Sequence, residues 1–221
     1  MTDEPARPLR YREPRQARSA ATLARVLLAA EEIASSSGLD EMTITGVAER
    51  AGVSVGTIYR RFEDKEQLIT ALTERMLERR EAYVAERLGA AEPSLSGVMD
   101  AYARALLQSF VDSSNLFPEL LRTRGAASLD RGARTITAIH RLLLEAAAPY
   151  AGQIRRSDPQ AALDTVARAV LGACFHNSVR PDPATGKAGR RQYADELSDM
   201  AIAYLLTPDR RGTADSGGVN A

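Results

Sequence analysis

The sequence is short of most of the residues that catalysis and metal binding use. It has one cysteine, Cys174, so no disulfide can close within the chain and a thiolate metal site would lack partners. It has two histidines, His140 and His176. Cys174 and His176 lie two residues apart, which on a helix turns them about 200° away from each other. Asp158 and Asp164 have no histidine that the sequence places beside them, and no phosphate-binding loop is present. An enzyme is therefore not expected, and no catalytic residue, metal or cofactor is assigned. With four phenylalanines and no tryptophan, a large flat ligand gains no special support. No apolar run approaches the roughly 18 residues of a membrane span. The amino-terminal stretch, with Asp3, Glu4 and two prolines ahead of any apolar stretch, lacks a signal-peptide core. A cytoplasmic location without a membrane partner is the expectation.

What the chain does have is length, apolar periodicity and localised charge. Its 221 residues suffice for one sizeable core, or for a small head on a larger body. The 29 basic and 29 acidic residues cancel, which at first argues against a nucleic-acid partner. The average hides the distribution. Arg7, Arg10, Arg12, Arg15, Arg18 and Arg25 face only Asp3, Glu4 and Glu13 in the first 25 residues. Arg60, Arg61 and Lys65 form a second basic cluster.

Residues 1–15 carry three prolines and no periodicity, as a flexible basic arm would. From Gln16, Leu23, Leu27, Ala30 and Ala34 recur at helical spacing, and Gly38 is positioned as a left-handed cap. Thr43 can cap a two-turn helix whose inner face is Ile44, Val47, Ala48 and Ala51. Gly52-Val53 breaks it, and Ser54 can cap another short helix reaching about Arg61. Gly46 should weaken the earlier of these two helices by about 1 kcal/mol relative to alanine. Asp64 and Gln67 have capping-box spacing ahead of a long helix to about Leu88. Further helices are expected at 95–111, 116–124, 128–150, 159–178 and 190–206. Residues 180–189 and 208–221 read as a loop and a disordered tail.

Two short helices joined at Ala51-Gly52-Val53-Ser54 have the form of a helix-turn-helix. The second is unusually polar: Val55, Gly56, Thr57, Tyr59, Arg60 and Arg61 suit a core poorly, while Ile58 is its inward anchor. A helix that enters a DNA groove needs that division between a seated face and a face of small or hydrogen-bonding groups.

The stretch from Thr43 to Leu68, TITGVAERAGVSVGTIYRRFEDKEQL, closely resembles the signature of the TetR family of regulators. The resemblance rests on Val47-Ala48, Ala51-Gly52-Val53-Ser54, Gly56, Ile58-Tyr59, Phe62, Lys65 and Leu68, and covers about residues 16–70. Gly46 departs from it, standing where the family usually has a polar residue. The resemblance implies an all-α fold: a three-helix helix-turn-helix DNA-binding domain followed by a helical bundle for ligand binding and dimerisation. The implied function is a transcriptional repressor released from a palindromic operator by a small-molecule effector.

Candidate DNA-contacting residues are Thr43, Thr45, Ser54, Val55, Gly56, Thr57, Tyr59, Arg60, Arg61 and Lys65. Gly56 allows close approach to base edges, and Tyr59 is similar to the family's phosphate-contacting tyrosine. Val55 offers a surface for a thymine methyl, and Thr57 a hydroxyl for a base or phosphate. Thr43 and Lys65 stand at helix N-termini, where free N–H groups attract phosphate. Arg60 and Arg61 are candidate readers of guanine or clamps on phosphate.

A single head reads too few base pairs, so a homodimer on double-stranded DNA is implied. Leu163, Val166, Val170, Leu171 and Cys174 form one apolar stripe, and Leu197, Met200 and Tyr204 lie on another. Both could face their own domain, but their breadth argues for a partner on one side. Met99, Tyr102, Leu106, Phe110, Phe117, Leu121, His140 and Leu144 could line a cavity for a small apolar effector, and core packing explains them equally well. The expected organisation is an arm at 1–15, the DNA-binding domain at 16–64, the effector and dimerisation domain at 65–207, and the tail at 208–221. The alternative is a DNA-binding architectural or interaction protein without an effector.

Overall fold

A computed structural model describes residues 17–111, 126–179 and 187–209. The helix expected at 116–124, with Phe117 and Leu121, lies outside the described residues. So do the arm at 1–15, most of the 180–189 loop and the tail from 210 onward. Among the described residues there are eight α-helices, one short 3-10 segment and no strand. They are α1 (Ala17–Ser37), α2 (Ile44–Ala51), α3 (Val55–Tyr59), α4 (Lys65–Gly89), α5 (Leu95–Val111), α6 (Ala126–Ala147), α7 (Pro159–Val179) and α8 (Lys187–Leu206). The 3-10 turn, Ala148–Gln153, continues from α6 with Pro149 in its first turn. The described residues pack as two compact units, one of 17–79 with 126–135, the other of 80–111 with 136–179 and 187–209.

In the first unit local signals set the helix ends. Gly38 adopts φ 88° and its N–H reaches Ala34 O at 3.0 Å, which stops α1. Thr43 Oγ1 accepts from Gly46 N–H at 3.0 Å and caps α2. At the other end Gly52 sits at φ 64°, a left-handed conformation that a Cβ would strain. Its N–H and that of Val53 return to Glu49 O and Ala48 O at 3.2 and 3.0 Å. The turn thereby aims α3 away from the axis of α2. Gly46 also has a reason to be glycine. A Cβ there would stand 3.1 Å from Thr43 Oγ1, crowding the atom that caps the helix.

The core of this unit is Val26, Ala30, Met42, Val47, Ile58, Phe62, Leu68 and Leu72, all with 3% exposure or less. Ile58 and Phe62 seat the end of α3 in it; loss of the Phe62 ring would cost about 3–5 kcal/mol. Ion pairs lie over it: Arg79 with Glu31 at 2.7 Å, Arg50 with Glu32 at 3.0 Å, and Arg131 with Glu74 at 2.7 Å. The expected capping box forms with a shift of one residue. Asp64 Oδ1 accepts from Gln67 N–H at 2.8 Å, but Gln67 Oε1 reaches back to the N–H of Glu63, at 3.1 Å.

The second unit is built around α5, whose residues are buried on nearly every side. A helix apolar all round must be surrounded, and α5 packs against both α7 and α8. Tyr102 lies within this core and donates to Ala167 O at 3.4 Å. Burial raises its hydroxyl pKa, so it stays a neutral donor. The Arg80 guanidinium is also buried, 4.4 Å over the Phe110 ring, and donates to Ser109 O at 3.2 Å. Desolvation pulls its pKa down to about 10, which still leaves it charged at neutral pH. Arg104 joins α5 to α8 through Asp195, and is held by Asp100 at 2.8 Å.

The start of the expected disordered tail is not loose. Asp209 accepts from Ser157 N–H at 2.8 Å and from Arg156 at 3.1 Å. Arg156 lies 3.9 Å over the Tyr204 ring and also donates to Tyr204 O at 2.8 Å. Asp209 thus ties the end of the described chain to the turn before α7, an arrangement that composition does not announce.

Candidate nucleic-acid interface

The short helix α3 carries the candidate interface, and its seating decides what it presents. Ile58 is 1% exposed and turned to the core, whereas Tyr59 is 53% exposed. Ser54 caps the helix, its Oγ accepting from Thr57 N–H at 3.2 Å. The Ser54 and Thr57 hydroxyls lie 2.9 Å apart, and Arg60 Nη2 donates to Thr57 Oγ1 at 3.1 Å. Residues at i, i+3 and i+6 share one helix face, so Ser54, Thr57 and Arg60 form a connected polar row. Gly56 and Tyr59, also three apart, lie beside that row, and Gly56 is exposed.

The remaining candidates divide into exposed and engaged groups. Thr43 and Thr45 are exposed, Thr43 with its oxygen already committed to the cap of α2. Val55 is half-buried and packs partly against the core, so it is less freely presented than a thymine contact requires. Arg61 turns back toward α1, where its Nη2 reaches Ser19 O at 3.1 Å and Ser19 Oγ. Lys65, at the start of α4, donates from Nζ to Asp40 O at 3.0 Å. Ser19 and Asp40 were not singled out by sequence. They stand far from their partners along the chain, and no spacing signal links them.

In the second unit the candidate effector residues Met99, Tyr102, Leu106 and Phe110 are core residues of α5, with 0–3% exposure. Leu144 and His140 are half-buried on α6. His140 Nε2 lies 2.7 Å from Asp164 Oδ1, off the line of an ideal hydrogen bond. This corrects the expectation that Asp164 lacks a histidine: pairing between α6 and α7 brings the two together. The catalytic reading gains nothing at Cys174. Its thiol is fully buried, and desolvation pushes it up to about 12, so no thiolate is available at neutral pH. Among the described residues no three metal-ligating side chains gather, and no helix is long and apolar enough to cross a membrane.

The expected dimer seam needs a larger correction. Leu163, Val166, Val170, Cys174 and Leu197 are 0–6% exposed within a single chain and pack inward. They belong to the unit's own core, in which α5 packs against both of these helices. Leu171 and Tyr204 are half-buried, and Met200 is 48% exposed. The other apolar residues that these two helices leave open are Phe175, Val179 and Leu206.

Residues 26–72 match the family model described as bacterial regulatory proteins, tetR family. Solved structures share the fold over most of the chain. A TetR transcription regulator from Haloarcula marismortui aligns with TM-score 0.66 at 15% identity, over 84% of this chain and 97% of that one. A bacterial regulatory protein in the tetR family from Rhodococcus RHA1 aligns with TM-score 0.59 at 20% identity, over 85% and 98%. SmeT, the repressor of the Stenotrophomonas maltophilia multidrug efflux pump SmeDEF, aligns with TM-score 0.59 at 21% identity, over 86% and 92%. A comparison with curated protein sequences returns no match. An all-α fold with a helix-turn-helix head is the architecture of these DNA-binding regulators of transcription. Residues 26–72 are similar to the head of the tetR family, and the fold over most of the chain is the one these solved regulators share.

Proposed function

We propose that the chain is a sequence-specific repressor that binds a palindromic operator as a homodimer and is released by a small apolar effector in the cytoplasm. The observation that carries the DNA part is the polar row Ser54–Thr57–Arg60, exposed at both ends, beside Tyr59, on a helix locked down through Ile58. Tyr59 and Lys65 then serve as phosphate contacts and Gly56 as the point of close approach. Repression is favoured by the likeness to SmeT, which is a repressor. The division of labour proposed is a DNA-binding domain at 16–64 and an effector and dimerisation domain at 65–207, with the seam carried by the exposed residues of α7 and α8. An effector that prefers a head spacing unsuited to the operator weakens DNA binding by the ratio of its affinities for the two states.

Selection of bound duplexes from a random library tests this reading. The expected product is an inverted pair of half-sites about one helical turn apart. Recovery of unrelated sequences would overturn it. The burial of Met99, Tyr102 and Leu106 favours a second reading, in which α5 is plain core and the DNA-binding protein has no effector. A thermal-shift screen with diverse apolar compounds separates the two, since a ligand bound only by the folded state raises the melting temperature.

A further inference from the structure

Only one of the two adjacent arginines at the end of α3 is free to read bases, and a neighbouring threonine orients it. We infer that Arg60 reads a guanine in each half-site and that Thr57 is its positioning residue rather than a base reader. This rests on the DNA-binding reading above and adds the base and the division of roles.

The argument begins with donor bookkeeping. A guanidinium has five N–H donors and no acceptor. Arg60 gives one of them to Thr57 Oγ1, at 3.1 Å, and its side chain is otherwise exposed. Because Arg60 can only donate, Thr57 Oγ1 must accept there. The Ser54 and Thr57 hydroxyls share one hydrogen between them at 2.9 Å, in either direction. Ser54 Oγ also accepts from Thr57 N–H at 3.2 Å. Whichever hydroxyl donates to the other, one O–H remains, beside four guanidinium N–H groups. The row is therefore rich in donors and answers to a base edge made of acceptors. In the major groove that edge is guanine, with N7 and O6 side by side, whereas adenine and cytosine present amino donors.

Thr57 contributes by restraint. A long exposed arginine samples many rotamers, and fixing one before binding lowers the entropy lost on contact. Thr57 Oγ1 is itself held by Ser54, which is fixed as the cap of α3, so the anchor is a rigid one. Arg61 is excluded as the reader because its guanidinium is turned back to Ser19.

The test is selection from a random duplex library with the full chain and its Arg60→Ala, Thr57→Val and Thr57→Ser variants, followed by affinity measurement over a range of salt. The wild type should select a guanine at one position of each half-site. Arg60→Ala should lower the preference there by about ten-fold or more, the scale of one good base contact, and leave other positions unchanged. Thr57→Val, which keeps the shape and loses the hydroxyl, should reduce the same preference several-fold without lowering the melting temperature. Thr57→Ser should restore it. If Arg60→Ala instead weakens all sequences alike and flattens the salt dependence, Arg60 is a phosphate clamp and the inference is wrong. A normal guanine preference in Thr57→Val overturns the positioning role. Failure of the wild type to select any sequence would sink the DNA-binding reading itself, a result distinct from both.

Discussion

Arg61, at the end of the helix proposed to meet DNA, spends its guanidinium on Ser19 at the start of the first helix, with Nη2 3.1 Å from the Ser19 carbonyl oxygen. The contact closes the head across 42 positions of sequence. Arg61→Ala should therefore lower the stability of the head by about 1 kcal/mol, the net worth of a modest hydrogen bond. Selected DNA sequences should stay the same. Chemical unfolding of the variant and its selected motif check the two halves of the statement; a changed motif would make Arg61 a reader.

Tyr59 is exposed, whereas its neighbour Ile58 is buried. If its hydroxyl holds a phosphate, Tyr59→Phe should weaken operator binding by about 1 kcal/mol and spare stability. An unchanged dissociation constant in a titration would remove Tyr59 from the interface.

Lys65, the first residue of α4, donates from Nζ to Asp40 O. Lys65→Ala should weaken specific and non-specific duplexes alike and lower the salt slope of binding by about one per lost contact. A shift in base preference would contradict the assignment.

The inward packing of Val170 alters how dimerisation should be tested. Val170→Arg would place a charge in the core of the second unit and unfold it, so that variant reports on folding. Met200 is open to solvent. If the seam runs along the exposed face of α8, Met200→Glu should give monomers in sedimentation with an unchanged melting temperature. A dimer of normal affinity would move the seam elsewhere.

Acid stability should show the mark of Asp209. Hydrogen bonds from Ser157 and Arg156 hold its carboxyl at about 2, below the ordinary 3.8. A carboxyl lowered on folding adds stability above its unfolded value and loses it as pH falls toward the folded one. The difference in melting temperature between wild type and Asp209→Asn should therefore be full at pH 5 and shrink between about pH 4 and pH 2. An equal difference at both ends of that range would show that the clamp does not depend on the charge.

Much of the helix plan was legible along the chain because helix ends are decided by near neighbours. Gly38, Thr43, Gly52, Ser54 and Asp64 act on residues three to five positions away, and each acts as its type suggested. The span of α5, Leu95–Val111, was readable for the same reason. The shape of the candidate interface was legible too, since the polar residues around Ile58 had no place in a core. What could not be read was the use of each side chain. Arg60 and Arg61 are the same residue type in adjacent places, and only the position of Ser19 separates the one held by Thr57 from the one tied back to α1.

Sequence by itself determined that this is an all-helical chain with a helix-turn-helix head, because periodicity, caps and the Gly52 turn are properties of short stretches. Tertiary structure alone decided that Val170 and Cys174 are buried within a single chain, that His140 meets Asp164, and that Asp209 is tied to Arg156. An apolar stripe states that a face must be covered and leaves open by what. That depends on how distant helices pack, which no local pattern encodes.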